Sequence, residues 1–281
     1  GKNAALVVLD DEHAPRVANL RRMTGKRSMP VPGDVAYVRA LEDEKVVIER
    51  LEPRASTLER RSFGGRTKTM AANVDSIVTV TALADPAPRL VTLDQLLAFA
   101  QLQGTQALIV LTKPDLGAPR LLAELLAMYE PLGYPTLVIN PRLGEGIGTL
   151  RDAIAGRHAL LCGNSGVGKS SIFRALGGEG SVGEVSRHGL GRQTTTAARL
   201  YRMGDGFLID SPGVNEFGLG KISPAELAEG FREIAAAATQ CRFTDCTHLR
   251  EPGCGVKAAV EEGRIAASRY QSFRSILLDP N

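Results

Sequence analysis

The apolar residues Ala159, Leu160, Leu161 and Cys162 run directly into Gly163-Asn164-Ser165-Gly166-Val167-Gly168-Lys169-Ser170-Ser171. Few short stretches restrict a fold so tightly. A Gly-x-x-x-x-Gly-Lys-Ser loop works between a strand and a helix, where backbone N–H groups and a helix N-terminus converge on one anion. The apolar run reads as that strand, and residues 172–176 read as the start of the helix. The expected occupant of the loop is a nucleotide phosphate chain. Lys169 would reach its β- and γ-phosphates, and Ser170 would hold Mg²⁺. The rival reading is a chance glycine-rich turn, which arises in roughly 1% of chains this long. The flanking strand and helix disfavour it further. Cys162 reads as a small core residue.

The remaining chain says how such a loop is housed. A length of 281 residues has room for two domains and a small further module. Buried strands at 76–81, 107–111 and 136–139 alternate with helical patterns at 93–102, 119–132 and 147–155. Beyond the phosphate loop, 183–196 reads as a loop, and 198–201 and 207–210 as further strands. This alternation predicts a doubly wound parallel sheet. Ahead of it, short β runs at 5–9, 34–38 and 45–49, with turns at 31–34 and 42–44, predict a small β-barrel of OB or SH3-like type. Residues 60–68 read as a flexible linker, and 256–263 and 265–278 as C-terminal helices. The expected domains are 1–68, a β-barrel; 69–238, an α/β nucleotide domain; and 239–281, a C-terminal module.

Charge and composition narrow the partners. The net charge of +3 is too small to establish a polyanionic partner. Cations nevertheless collect at Arg50, Arg54, Arg60, Arg61, Arg66 and Lys68, where a solvated linker is the bland alternative. Arg21, Arg22, Lys26 and Arg27 form a basic loop suited to phosphate contacts. Base stacking is not advertised, because Tyr37 is the only aromatic residue before Phe63. No apolar run approaches the ~20 residues of a membrane-spanning helix. The N-terminus lacks a basic-then-apolar leader pattern, and its start at Gly1 leads to the expectation that an N-terminal piece is missing. A cytoplasmic protein is expected.

Thr112-Lys113-Pro114-Asp115 follows the strand at 107–111. Asn/Thr-Lys-x-Asp in this position is how GTPases select guanine. A carboxylate at Asp115 accepts from guanine N1–H and N2–H₂, donors that adenine lacks, so adenine would leave it unpaired. The Lys113 stem would lie along the base and ribose. Thr112 keeps a hydroxyl where Asn is commoner, so a weaker tether between the guanine site and the phosphate loop is expected. Asn140-Pro141-Arg142 stands where GTPases usually carry Ser-Ala-Lys/Leu, and its backbone is a candidate contact for guanine O6. Asp210-Ser211-Pro212-Gly213 closes the strand at 207–210. Asp210 would hold Mg²⁺ through water, and the Gly213 N–H would sense the γ-phosphate. Within Thr194-Thr195-Thr196, either Thr195 or Thr196 would ligate Mg²⁺ in the GTP state. Each element is expected at the carboxyl edge of one parallel sheet. Their order is not that of an ordinary GTPase, because the guanine motif precedes the phosphate loop. A circular permutation explains that order and keeps the strands adjacent.

Cys241-x4-Cys246-x-His248-x5-Cys254 gathers three thiols and one imidazole. Four such ligands and no nearby fifth predict a closed, structural zinc site in a reducing compartment.

Taken together, the barrel, Thr112-Lys113-Pro114-Asp115, the 163–171 loop, Gly191-Arg192-Gln193-Thr194-Thr195-Thr196, Asp210-Ser211-Pro212-Gly213 and the Cys/His cluster resemble one family across essentially the whole chain. It is the bacterial circularly permuted GTPases called ribosome small-subunit-dependent GTPase A. The resemblance implies an OB-fold, a permuted GTPase domain and a C-terminal zinc domain. It implies GTP hydrolysis to GDP, stimulated by the small ribosomal subunit during late maturation, with rRNA contacts, no membrane, and a monomer. One departure stands out: the family usually has His before the Thr run, and this chain has Gln193. An amide can orient the attacking water but cannot titrate near neutral pH. Two rival functions are an assembly chaperone gated by nucleotide and an ATP-dependent kinase, the latter disfavoured by Asp115.

Overall fold

The structure, a computed structural model, describes residues 4–9, 15–20, 29–41, 46–61, 67–177, 199–203, 205–210, 219 and 222–279. The expected basic loop Arg21, Arg22, Lys26 and Arg27, the expected 183–196 loop with Gln193, Thr195 and Thr196, and Ser211-Pro212-Gly213 lie outside the described residues.

The first sheet joins β1 (Ala4–Val8), β2 (Pro15–Leu20), β3 (Ala36–Ala40) and β4 (Val46–Leu51) in the order β1-β2-β4-β3. β1 with β2 and β3 with β4 are antiparallel, whereas β2 and β4 run parallel. Ala18, Val46 and Ile48 form its small core. β2 is absent from the expected strands. Pro15, Arg16 and Asn19 carry little β propensity, and pairing on both sides makes the strand instead.

The stretch read as a linker, 60–68, is corrected at both ends. β5 (Thr57–Arg61) and β6 (Thr67–Ala72) pair antiparallel. Leu58, Met70 and Ala71 anchor this hairpin in the main core, so tertiary burial overrides the charged sequence. The expected boundary at 68 falls within β6. The hairpin grips the turn before β3: the Ala72 N–H donates to the Pro32 carbonyl at 2.9 Å. At Gly33, φ is +87°, and a Cβ would stand 2.0 Å from the Ala72 carbonyl oxygen. Only glycine fits there.

The main sheet is built from β7 (Ser76–Ala82), β8 (Gln106–Thr112), β9 (Thr136–Ile139), β10 (His158–Cys162), β11 (Arg199–Met203) and β12 (Gly206–Asp210), in the order β11-β12-β10-β7-β8-β9. Every residue of β7 is buried, as a central strand covered on both faces requires. Helices α1 (Leu90–Leu102), α2 (Pro119–Tyr129), α3 (Ile147–Ile154) and α4 (Lys169–Ala175) connect the strands. Alternate residues serve opposite faces. Ala159 and Leu161 pack with α3 and α4, while Leu160 and Cys162 pack with α1 and the C-terminal helices. Cys162 is the expected core residue, and burial pushes its thiol well above the usual range.

Two corrections bear on the site. The sheet is not wholly parallel, because β11 runs antiparallel to β12. That sense pairs Arg199, the first residue of β11, with Asp210, the last of β12. The chain therefore enters β11 at the edge where the parallel strands end. Helix α4 begins at Lys169 rather than near 172, which puts Lys169 and Ser170 in its first turn.

Beyond the sheet come α5 (Pro224–Glu229), α6 (Arg232–Ala238), α7 (Gly255–Glu261) and α8 (Ala267–Leu278). The first two are additional to the sequence reading. α5 opens on a capping box between Ser223 and Glu226. α8 packs on α1 through a buried charge network. The Arg269 guanidinium donates to Asp94 at 2.5 Å and to Glu233 at 2.7 Å, and Tyr129 donates to Asp94 at 2.7 Å. Arg269 and Asp94 are each about 1% exposed. Removing one member of such a network strands the others in a low dielectric. Arg269→Leu is therefore expected to destabilise the protein by about 3–5 kcal/mol, measured by urea denaturation. A change below about 1 kcal/mol would mean that the network is not what joins α8 to α1. Among the described residues, no helix is long and apolar enough to cross a membrane.

Candidate nucleotide site and metal centre

β8, β9, β10 and β12 are parallel through their pairing with β7 and one another, so their carboxyl ends share one edge. Thr112 ends β8, Ile139 ends β9, Cys162 ends β10 and Asp210 ends β12. The sheet thus brings Thr112-Lys113-Pro114-Asp115, Asn140, the 163–171 loop and Asp210 together, as the sequence predicts.

The loop's geometry follows from its glycines. Gly163 has φ +144°, and a Cβ there would lie 2.3 Å from the Val80 carbonyl oxygen. Gly168, at φ +102°, is the left-handed N-cap of α4. Backbone of this kind turns N–H groups inward over a helix N-terminus and makes an anion cradle. The Lys169 ammonium donates to the carbonyls of Gly163 at 2.5 Å and Asn164 at 2.8 Å. Burial lowers its pKa, and the charge of Asp210 opposes that. An ammonium held beside this cradle neutralises phosphate charge.

Thr112 joins the two halves of the site. Its fully buried hydroxyl donates to the Val167 carbonyl at 2.6 Å, a single bond from the base side to the phosphate loop. Lys113 donates to the Asp85 carbonyl. A recess of about 100 Å³ lies between Thr112, Lys113, Asp115, Asn140, Gly166 and Ser171. Its depth holds a carboxylate and an amide: Asn140 Nδ2 donates to Asp115 Oδ1 at 3.0 Å. At Asn140 the sequence pointed to the backbone alone. Its side chain, 4% exposed, is the overlooked member, and the sole local signal was an amide after a buried strand.

The donor set at the phosphate end also fits Mg²⁺. Ser170 offers a hydroxyl and Asp210 a carboxylate, both hard oxygen donors. Leu161, next to the end of β10, pairs with Asp210, which places that carboxylate's backbone beside the loop.

Cys241, Cys246, His248 and Cys254 lie together between α6 and α8, with ligand atoms all within 4.8 Å of one another. None forms a disulfide. Cys241 Sγ is 3.9 Å from Cys254 Sγ, and His248 Nδ1 is 3.5 Å and 3.6 Å from those two sulfurs. A tetrahedron around zinc, with bonds of about 2.3 Å to sulfur and about 2.0 Å to nitrogen, has edges of about 3.8 Å and about 3.5 Å. Cys241, Cys254 and His248, through Nδ1, match those edges, and Cys246 completes a four-ligand cluster of the kind a tetrahedral metal takes. The support around them escaped sequence reading. Glu251 accepts from the Thr247 N–H and hydroxyl and from the Leu249 and Arg250 N–H groups. Those bonds, the Thr247 side chain foremost, hold its carboxyl down at about 2. The Tyr270 hydroxyl, on α8, donates to the His248 carbonyl at 2.6 Å.

Comparison with known proteins agrees with this geometry. The family model described as RsgA GTPase matches residues 51–220. A curated relative from Pseudomonas fluorescens, "Small ribosomal subunit biogenesis GTPase RsgA", is 44% identical over 255 residues, spanning 88% of this chain and 74% of its own. Among solved structures, YjeQ from Thermotoga maritima aligns with a TM-score of 0.75 at 30% identity, covering 99% of this chain and 94% of that one. YloQ, a circularly permuted GTPase, aligns at 0.72 and 23% identity over 99% and 91%, and speaks for the fold alone. The fold is the circularly permuted one anticipated from the motif order.

Proposed function

Because the chain belongs to the RsgA GTPase family, we propose that it hydrolyses GTP to GDP and phosphate on the assembling small ribosomal subunit. The observation that carries this reading is the Thr112–Val167 bond, which ties the Asp115 recess to the phosphate loop. Asp115 accepts from the guanine edge, and 163–171 with Lys169 cradles the phosphates. Ser170, Asp210 and either Thr195 or Thr196 hold Mg²⁺, which screens the charge of the β- and γ-phosphates when bound. The Gly213 N–H contacts the γ-phosphate, and the Gln193 amide orients the attacking water.

The N-terminal unit, expected as 1–68 and built on the first sheet between Ala4 and Leu51, is read as an OB-type barrel touching rRNA, supported by its small core and the neighbouring basic residues. The GTPase domain runs to 238 and takes in the β5–β6 hairpin ahead of the expected start at 69, and 239–281 form a module held by one structural Zn²⁺. A monomer acting in the cytoplasm fits this role. The deciding experiment is GTP hydrolysis with and without purified small subunits. Strong stimulation is expected for GTP and not for ATP. Turnover unchanged by subunits would favour the assembly-chaperone reading instead.

Gln193 gives a separate prediction. Gln193→Ala should lower subunit-stimulated turnover by about 10²-fold while leaving GTP affinity near its starting value, since water positioning acts on the chemical step. The wild-type rate should show no inflection of the kind His produces between about pH 6 and 8. Stimulated turnover that survives the substitution would remove Gln193 from the mechanism.

A further inference from the structure

We infer that the side-chain amide of Asn140 reads guanine O6, doing what the backbone of its own loop cannot. This rests on the guanine-nucleotide reading above and assigns a specificity residue within it. Guanine presents two donors, N2–H₂ and N1–H, followed by one acceptor, O6. Asp115 supplies acceptors for the two donors and nothing for O6. A donor is needed beside the carboxylate, on the N1 side.

Of the residues of the loop after β9 that line the recess, Asn140, Pro141 and Arg142, none has a free backbone donor. The Asn140 N–H donates to the Glu145 carbonyl at 2.9 Å. Pro141 has no N–H. The Arg142 N–H donates to Asn140 Oδ1 at 3.2 Å, and the Leu143 N–H to the Asn140 carbonyl at 3.1 Å. The Asn140 side chain does have one. Its orientation is fixed from both ends, because Oδ1 accepts from an N–H and Nδ2 donates to a carboxylate that can only accept. Nδ2 carries a second N–H, and among the described residues no protein acceptor takes it. The amide therefore stands next to Asp115 Oδ1, buried and held in the lining of the recess, with one donor left to give. Carboxylate and amide together form an acceptor–acceptor–donor array that matches the guanine edge. Arg142 also borders the recess, but its side chain is exposed and freely hydrated, so it discriminates poorly.

The test compares nucleotides that differ at single edge positions. Calorimetric titration would use GTP, 6-thio-GTP, in which O6 becomes a poorer acceptor, and ITP, which keeps O6 and lacks the N2 amine. Wild type is expected to bind GTP about tenfold more tightly than 6-thio-GTP, the worth of one buried hydrogen bond. Asn140→Ser retains a hydroxyl that can hold Asp115 but is too short to reach O6. It should bring that ratio near one and leave the GTP/ITP ratio unchanged. Adding Pro141→Ala restores a backbone N–H and should recover the GTP/6-thio-GTP preference. Arg142→Ala should change neither ratio. The inference is overturned if Asn140→Ser lowers both ratios together, which would make Asn140 a mere support for Asp115. It is equally overturned if Arg142→Ala, or neither variant, alters the GTP/6-thio-GTP ratio. Wild-type affinity no greater for GTP than for ATP would instead sink the guanine reading on which it stands.

Discussion

Asp115→Asn is expected to weaken GTP binding about a thousandfold and to create affinity for xanthosine triphosphate. The magnitude follows from leaving polar groups unpaired in a closed recess, which costs far more than losing a contact in water. Asparagine at 115 would turn a donor toward the guanine N2 amine, a donor facing a donor. Xanthine carries an oxygen at that position and keeps N1–H, so the same amide fits it. Asn140 keeps an acceptor at position 115 in either case, so the recess itself should survive. Titration of GTP, XTP and ATP into both proteins checks this. Equal losses for GTP and XTP would mean that Asp115 holds the loop together and does not read the base.

The second large effect concerns the metal centre. Cys254→Ser should take the bound zinc from about one ion per chain to none, read by metal analysis of the purified protein. The apparent affinity of a structural zinc site reaches about 10–16 kcal/mol, and that energy is folding energy for the module holding it. Amide exchange across 241–254 should therefore rise to near the unprotected rate. The loss should spread to α8, because Tyr270 bonds the His248 carbonyl and Arg269 lies one residue before it. Zinc retained at full stoichiometry, with protection intact, would show that Cys254 is not a ligand.

The parts of the site legible in sequence share one property. Each is a contiguous run whose residue types are dictated by local geometry. The 163–171 loop needs glycine because Gly163 abuts the Val80 carbonyl and Gly168 caps α4. The Cys/His spacing places four ligands within one turn-rich segment. Strands β7 and β8 of the main sheet were readable because burial on both faces fills them with β-branched and apolar residues and leaves no charged ones, as in Ile77-Val78-Thr79-Val80 of β7 and Leu108-Ile109-Val110-Leu111 of β8. What escaped was decided by partners far along the chain. Asn140 became part of the site through a bond to a residue 25 positions away, and Arg269 became part of the core through one 175 positions away. Nothing around Arg269 in sequence marks it for burial. The β5–β6 hairpin escaped because its anchor is three apolar side chains set among charges. The antiparallel sense of β11 escaped because periodicity reports which residues are buried and not which way a strand runs.

The strand order has a consequence for how the protein comes into being. β7 is the hub: β8 and β9 lie to one side of it, β10, β12 and β11 to the other. A chain made from its N-terminus delivers β7, β8 and β9 first, and domains begin to organise as they emerge. The nascent chain thus carries Thr112 and Asp115 while one flank of β7 is still bare. The Val167 carbonyl that Thr112 engages, and the cradle that grips phosphate, arrive only with the segment after β10. On the proposed reading, until Ser171 has been made the base side of the site stands alone, and GTP cannot serve as a template on which the sheet completes itself. The permuted order would therefore give nucleotide a hold only on a chain already made through Ser171.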